Sequence, residues 1–266
     1  MDGLLLNTED LYTQCTNKML AKYGRPSLPW SVKAQLQGRP GPSAAAIFHE
    51  WAKLPIPTAQ YHTELTALQM ELFPSAQPLP GVELLLRDLA RAKVHMALAT
   101  SSHAANFALK TRYLQDLFAV FDARRRVLGD DTRIPHGRGK PAPDIYLLAL
   151  DMVNETLPPG EPKIAPEECL VFEDSVPGVE AGRRAGMRVV WCPHSELKKE
   201  FTGREDRVLA GQADEGGEMQ VRGESGVTEG RGEIGDGWAQ YLQTLERFPY
   251  ASYGIVVPTL DQAQKL

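Results

Sequence analysis

Apolar positions recur at helical spacing through residues 10–24 and about 43–72, and prolines 26, 29, 40, 42, 55 and 57 interrupt these stretches. That pattern predicts a small module of short helices. Pro80-Gly81 then punctuates the chain, and Val82, Leu85, Leu86 and Leu89 mark a helix over 82–92. Beyond it, short apolar runs alternate with helical segments. Val94–Thr100 ends in small hydroxyl residues and predicts a buried strand. Phe118–Phe121 predicts a second strand, Leu170–Phe172 a third and Met187–Trp191 a fourth. A helix over Pro141–Val153, with proline in its first turn, and one of about ten residues ending at Gly186 lie between strands. Strands alternating with helices predict an α/β fold with a parallel sheet covered on both faces.

One segment departs from this texture. Residues 203–237 hold ten of the 23 glycines, no aromatic residue, and nine acidic residues against four arginines. Such a stretch offers too little apolar surface to offset its ordering entropy, so it is expected to be a disordered surface insertion. An acidic interaction segment is the other reading of the same composition. Its excess of five negative charges equals the net charge of −5 for all 266 residues.

That acidic balance disfavours a nucleic-acid partner. Cys15, Cys169 and Cys192 are odd in number and form no CxxC pair, which argues against a disulfide scaffold or structural zinc and for a reducing, cytoplasmic setting. The first residues lack the features of a signal peptide, and no run approaches a membrane span, so no membrane partner is expected.

Ligands of parallel sheets lie at the carboxyl ends of the strands. Four polar stretches are expected there: Asp2-Gly3, Thr100-Ser101-Ser102, Gly139-Lys140-Pro141 and Glu173-Asp174-Ser175. Carboxylates hold Mg²⁺ through oxygen. Hydroxyls and backbone N–H groups suit phosphoryl oxygens, and an ammonium offsets developing negative charge. Each stretch has a plainer reading alone: Glu-Asp as a solvated turn, Thr-Ser-Ser as a helix cap.

In this order the stretches resemble the motifs of the haloacid dehalogenase superfamily of phosphohydrolases, in the branch with a small helical cap. The start, MDGLLLNTED, is similar to the first motif, ALATSS (97–102) to the second and GRGKPAPDIYLLAL (137–150) to the third. VFEDSVPGVEAGRRAGM (171–187) resembles the metal-binding fourth. Residues 129–147 are most similar to the pseudouridine-5′-phosphatase and related sugar-phosphatase group. The resemblance implies a three-layer Rossmann-like core (1–9 and 81–266) with an α-helical cap (10–80) inserted. It implies a Mg²⁺-dependent phosphomonoester hydrolase acting on a small sugar or nucleoside monophosphate. Asp2 would be the general acid/base, its backbone carbonyl also touching Mg²⁺. Thr100 and Ser101 would hold the phosphoryl group, with Lys140 neutralising its charge. Asp174 would ligate Mg²⁺, and Glu173 would ligate it or orient its waters. Asn7 and Thr8 would lie in the hinge to the cap; the family often has aspartate where Asn7 stands.

The first motif also departs from the pattern. The family reads apolar strand, then Asp-x-Asp-Gly, with the first aspartate as nucleophile. Here Met1 stands at x, so the nucleophile would lie one residue before the start, and the central strand preceding it is missing. Without that nucleophile the covalent route is closed, and the chain as written is expected to turn over near background. Losing several buried strand residues, at about 1.5–3 kcal/mol each, rivals the roughly 5–15 kcal/mol stability of a whole domain. The chain alone is therefore expected to be marginally stable. Two explanations stand: Met1 is an internal methionine of a longer phosphatase, or the product has lost catalysis and acts as a phosphate-binding or scaffold protein. A sugar-phosphate mutase shares the same motifs and is a further alternative.

The cap would choose the leaving group in this branch. Arg39, in Gly38-Arg39-Pro40-Gly41, is the candidate substrate contact, with a solvated loop arginine as the alternative. Arg124-Arg125-Arg126 could draw in anions or form a solvated face, and Cys169, Trp191 and Cys192 are expected to pack.

Overall fold

The computed structural model describes residues 1–39, 41–213 and 232–258. In chain order, four helices come first: α1 (Thr8–Lys22), α2 (Trp30–Leu36), α3 (Gly41–Ala52) and α4 (Thr58–Leu72). Then follow α5 (Val82–Arg91), β1 (Leu98–Ala99), α6 (Ala104–Lys110), α7 (Gln115–Phe118), β2 (Arg126–Val127) and α8 (Asp144–Glu155). The chain continues through β3 (Leu170–Glu173), α9 (Val176–Arg184), β4 (Arg188–Trp191), α10 (Ser195–Glu200), α11 (Glu205–Leu209) and β5 (Ala239–Tyr241).

Among the described residues every pairing between the five strands is parallel, as the alternation of strands and helices predicted. The strands form two pieces, one ordered β1-β2 and the other β3-β4-β5. Along β4 the side chains alternate between two apolar layers: Val190 joins one, Val189 and Trp191 the other. The first layer is built on Leu85, Leu86 and Leu89 of α5, the second on Ile145, Ala149 and Met152 of α8. Both faces of the sheet are thus covered, the usual condition of parallel strands. Between β1 and β3 lies a cavity of about 630 Å³, lined mostly by apolar residues of both layers, with Met1, His95, Glu167, Glu168 and Arg188 also at its walls.

The first four helices enclose their own apolar cluster around Met19, Leu20, Phe48 and Tyr61. The segments leading into and out of them run side by side. Asn7 N–H donates to Gln77 O at 3.0 Å, Asn7 Oδ1 accepts from Gln77 N–H at 2.8 Å, and Leu79 N–H donates to Leu5 O at 3.0 Å. Asn7 therefore serves this crossing through an uncharged amide.

Three expectations need correction. Phe118–Phe121 is the end of α7 and a turn, not a strand; Phe121 N–H donates to Phe118 O at 3.2 Å and both rings are buried. A four-residue apolar run has no period long enough to tell the two apart. The Arg126 guanidinium, bonding the carbonyls of Phe118 (3.1 Å) and Phe121 (2.7 Å), fixes this turn against β2. Within the stretch 94–100, only Leu98 and Ala99 enter a ladder. Part of the 203–237 segment is ordered: Val208 of α11 is fully buried, and Asp236 pairs with Arg183. Residues 214–231 lie outside the described residues.

Candidate active site

The polar stretches meet where the carboxyl ends of β1 and β3 face the helical module. Asp2, Thr100, Ser101, Lys140, Glu173 and Asp174 line one wall of a cavity of about 360 Å³; Glu9, Lys33, Gln37 and Arg39 line the other.

Asp2 is held from three sides. Thr8 Oγ1 donates to its Oδ1 at 2.6 Å, Ser102 Oγ donates to Oδ2 at 2.7 Å, and Lys110 Nζ lies 2.5 Å from Oδ1. Burial alone would raise the Asp2 pKa. The Lys110 ammonium and these hydrogen bonds outweigh it and hold the carboxyl well below the usual range. Thr100 is buried, donates its N–H to Val127 O at 3.0 Å and accepts from Ser102 N–H at 3.2 Å through Oγ1. Ser101 lines the cavity, whereas Ser102 is the hydroxyl that reaches Asp2.

Glu173 is saturated with donors. Tyr146 OH donates to Oε1 at 2.5 Å, Lys140 Nζ pairs with the same oxygen, and Oε2 accepts from Asp174 N–H, Ser175 N–H (both 3.1 Å) and Ser175 Oγ (2.9 Å). Burial pushes this carboxyl up, but Lys140 and these bonds hold its pKa at about 2. Ser175 also caps α9, accepting from Gly178 N–H at 3.2 Å. Gly178 is needed for close approach, because a Cβ there would run into the Glu173 carboxylate. Gly3 is needed for the same reason beside Asp174, and its φ of +63° also favours glycine.

Asp174 has the opposite electrostatics. Its Oδ2 accepts from Gln37 Nε2, and burial together with Glu173 and Glu9 pushes its pKa well above the carboxylate range. Among the described residues no three His, Cys, Asp or Glu side chains converge as a metal cluster. Mg²⁺ needs no such cluster, since it keeps several waters and takes one or two carboxylates. Asp174, a buried carboxylate beside two other acids, fits that demand. Glu173 fits less well as a ligand, because its oxygens already serve Lys140, Tyr146 and the start of α9.

The helical module supplies groups that motif reading missed. Lys33 is buried, reaching Glu9 Oε2 (3.1 Å), Glu9 O (2.7 Å) and Thr13 Oγ1 (2.6 Å). Gln37 is buried, and its Oε1 finds no hydrogen-bond partner. Arg39 lies at the cavity wall with Nε donating to Gln35 O at 2.8 Å. Lys110, Tyr12, Lys33 and Gln37 belong to helices or a helix end, and only their three-dimensional convergence marks them. The three adjacent arginines are engaged structurally: Arg124 with Asp122 (2.6 Å), Arg125 with Thr156 (2.6 Å), and Arg126 as above.

This combination of a parallel α/β core, an inserted helical module and a carboxylate–lysine–hydroxyl site defines a phosphatase of the α/β class. Residues 1–186 match the family model described as haloacid dehalogenase-like hydrolase, and the chain belongs to that family. It is 43% identical over 214 residues to a Saccharomyces cerevisiae protein named probable pseudouridine-5′-phosphatase, covering 80% of this chain and 88% of that one. It is 35% identical to (DL)-glycerol-3-phosphatase 1 of Arabidopsis thaliana, covering 80% of this chain and 69% of that protein. Among solved structures, CbbY from Rhodobacter sphaeroides in complex with phosphate superimposes with a TM-score of 0.58 at 26% identity, covering 74% of this chain and 84% of that one. No helix among the described residues is long and apolar enough to cross a membrane.

Proposed function

We propose that this site is that of a Mg²⁺-dependent hydrolase of small phosphomonoesters, of a sugar or a nucleoside, and that the chain as written retains the binding part of that activity. The observation that carries this reading is the convergence of Asp2, Thr100, Ser101, Lys140, Glu173 and Asp174 on one cavity beneath the helices. Thr100 and Ser101, at the end of β1, hold phosphoryl oxygens, and Lys140 offsets their charge. Asp174 and the Asp2 carbonyl hold Mg²⁺, which supplies charge neutralisation at the phosphoryl group. Glu173 orients Lys140 and the metal's water shell. Asp2, fixed by Thr8 and Ser102, exchanges the proton of the leaving oxygen. Residues 10–80 act as a cap that closes over the substrate, and Arg39 meets the leaving group at the cavity wall. The relatives named for nucleoside and glycerol phosphates support a small metabolite as substrate. The three cysteines are free thiols, which suits a reducing, cytoplasmic setting.

The covalent route needs a nucleophilic carboxylate facing the phosphoryl group. Among the described residues the carboxylates around the cavity are already engaged: Asp2 with Lys110, Glu9 with Lys33, Glu173 with Lys140 and Asp174 with Gln37. We therefore expect the 266-residue chain to bind phosphomonoesters with Mg²⁺ and to release phosphate near background. Calorimetric binding of pseudouridine 5′-phosphate and glycerol 3-phosphate, with and without Mg²⁺, tests the binding. Phosphate-release assays on the same compounds test turnover. Absence of Mg²⁺-dependent binding would overturn the site. Robust turnover abolished by Asp2→Asn would overturn the need for a further carboxylate, and isomerised product would favour a mutase.

A further inference from the structure

The helical module meets the strand ends through α2 and the residues just after it. Trp30, at the start of α2, stacks on the His194 ring with centroids 4.6 Å apart and planes at 17°, and His194 caps α10 by accepting from Glu196 N–H at 3.2 Å. Gly38, past the other end of α2, lies so close to the core that a Cβ there would run into the Ser175 hydroxyl. Gln37 stands between these two contacts. Its N–H closes the last turn on Lys33 O at 3.0 Å, its side chain is buried with the residue only 6% exposed, and Nε2 donates to Asp174 Oδ2. Oε1, on the same carbon, has no partner. Among the described residues, Gln37 is the one lining the cavity of about 360 Å³ that carries a buried side-chain polar atom without a partner. A buried acceptor left unpaired is destabilising, so this atom points to a donor that the protein does not itself supply.

We propose that Gln37 is a positioning residue through which closure of the helical module and Mg²⁺ binding at Asp174 reinforce each other, its Oε1 accepting from water on the ion. This rests on the reading of Asp174 as the metal carboxylate. Because Nε2 is bonded to Asp174, Oε1 lies beside the carboxylate that would hold the ion. Mg²⁺ keeps several waters when protein carboxylates bind it. Such a water turns its lone pairs to the cation and its protons outward, so it acts as a donor, and a free amide oxygen is its complement. The neighbouring acids are engaged elsewhere: Glu9 with Lys33, and Glu173 with Lys140, Tyr146 and Ser175. The acceptor belongs to the module and the carboxylate to the core. An ion shifts an open–closed equilibrium only through contacts made in one state and not in the other. Oε1 supplies such a contact, since it stands by Asp174 only while Gly38 is seated on Ser175. By linkage, closure then tightens Mg²⁺ by the same factor as Mg²⁺ favours closure.

The test measures Mg²⁺ affinity by calorimetry and hydrogen exchange along α2, in the full chain without substrate. In the parent chain, Mg²⁺ should slow exchange at the amides of α2 and Gln37 by about fivefold or more. Gln37→Met keeps the side-chain length and removes the amide; it should bind Mg²⁺ about tenfold more weakly and lose that protection. Gln37→Glu keeps acceptor oxygens and should retain the Mg²⁺-dependent protection. Mg²⁺ binding by the parent that leaves exchange along α2 unchanged overturns the proposal, whatever the variants do. So does a Gln37→Met chain that binds Mg²⁺ and is protected as the parent is. If that variant instead loses affinity for glycerol 3-phosphate relative to inorganic phosphate while its Mg²⁺ response stays parental, Oε1 serves a substrate hydroxyl and the proposal falls. A parent chain that binds no Mg²⁺ removes the metal reading of Asp174 itself, and the proposal with it.

Discussion

Lys110 Nζ lies 2.5 Å from Asp2 Oδ1, although 108 positions separate the two residues in the chain. The lysine side chain is wholly buried, and its three donors have three acceptors: Asp2 Oδ1, Tyr12 OH (2.8 Å) and Ser102 Oγ (2.8 Å). The site therefore contains three buried lysines with separate acids, Lys33 with Glu9, Lys110 with Asp2 and Lys140 with Glu173. Asp174 meets an amide instead of a cation. This division explains why the Asp2 and Glu173 pKa values are lowered while that of Asp174 is raised.

Removing one partner of a buried ion pair strands the other charge, at a cost of about 3–5 kcal/mol. Lys110→Met should lower unfolding stability by roughly that amount at neutral pH. Asp2→Asn in the same chain should recover more than half of the loss, because no charge is then left unpaired. Urea unfolding of the single and double variants measures the coupling; additive losses would show that Lys110 acts through packing alone.

Gly178 touches the same network from the other side. A methyl group there meets the Glu173 carboxylate, which cannot retreat while Lys140, Tyr146 and Ser175 hold it. Gly178→Ala should cost about 1–3 kcal/mol, the usual price of overpacking. It should also weaken phosphate binding by displacing Lys140. An unchanged thermal midpoint and unchanged phosphate affinity would contradict the tight approach.

Of the elements from 82 to 191, α5, β1, α8, β3, α9 and β4 were legible because each apolar run had its own period or stop, whereas α6, α7 and the two-residue β2 were not. The Phe118–Phe121 error arose where four residues carry no period, and the ordering of Asp236 depends on Arg183, which local composition does not reveal. At the site, Asp2, Thr100, Lys140, Glu173 and Asp174 stood out through short motifs whose residues are adjacent in the chain. Lys110, Lys33 and Gln37 stood in ordinary helical sequence. A helical lysine reads as a solvated residue until folding places it against an acid from another element.

Asp174 combines a candidate metal role with an electrostatic cost. Its folded pKa is raised, so the buried carboxylate destabilises the metal-free fold increasingly as pH rises from the unfolded pKa to the folded one, and the effect disappears as pH falls below the unfolded pKa. Asp174→Asn should therefore raise the metal-free thermal midpoint at pH 7 and weaken Mg²⁺ binding by at least about tenfold, losing the stabilisation that a bound ion confers. Thermal melts and calorimetry with and without Mg²⁺ read both effects. A variant that is less stable and binds Mg²⁺ normally would remove Asp174 from the metal site.

In the helical module, Glu64 joins Lys22 (2.8 Å), Tyr23 OH (2.7 Å) and Gln60 Nε2 (2.9 Å). Hydrogen bonds from Gln60, Lys22 and Tyr23 lower its pKa to about 2 from an ordinary 4.5. A carboxyl lowered on folding contributes stability that is fully present above its unfolded pKa and lost as pH falls through its folded one. The contribution of Glu64 should thus fade between about pH 4.5 and pH 2. Glu64→Gln should be less stable than the parent chain at pH 6, with the gap closing toward pH 2. The difference should be small, because the group is in contact with solvent and its pairing is screened. Paired urea melts across that range cancel the acid sensitivity common to both chains, and a gap that stays constant with pH would exclude the ionised form of Glu64 as its source.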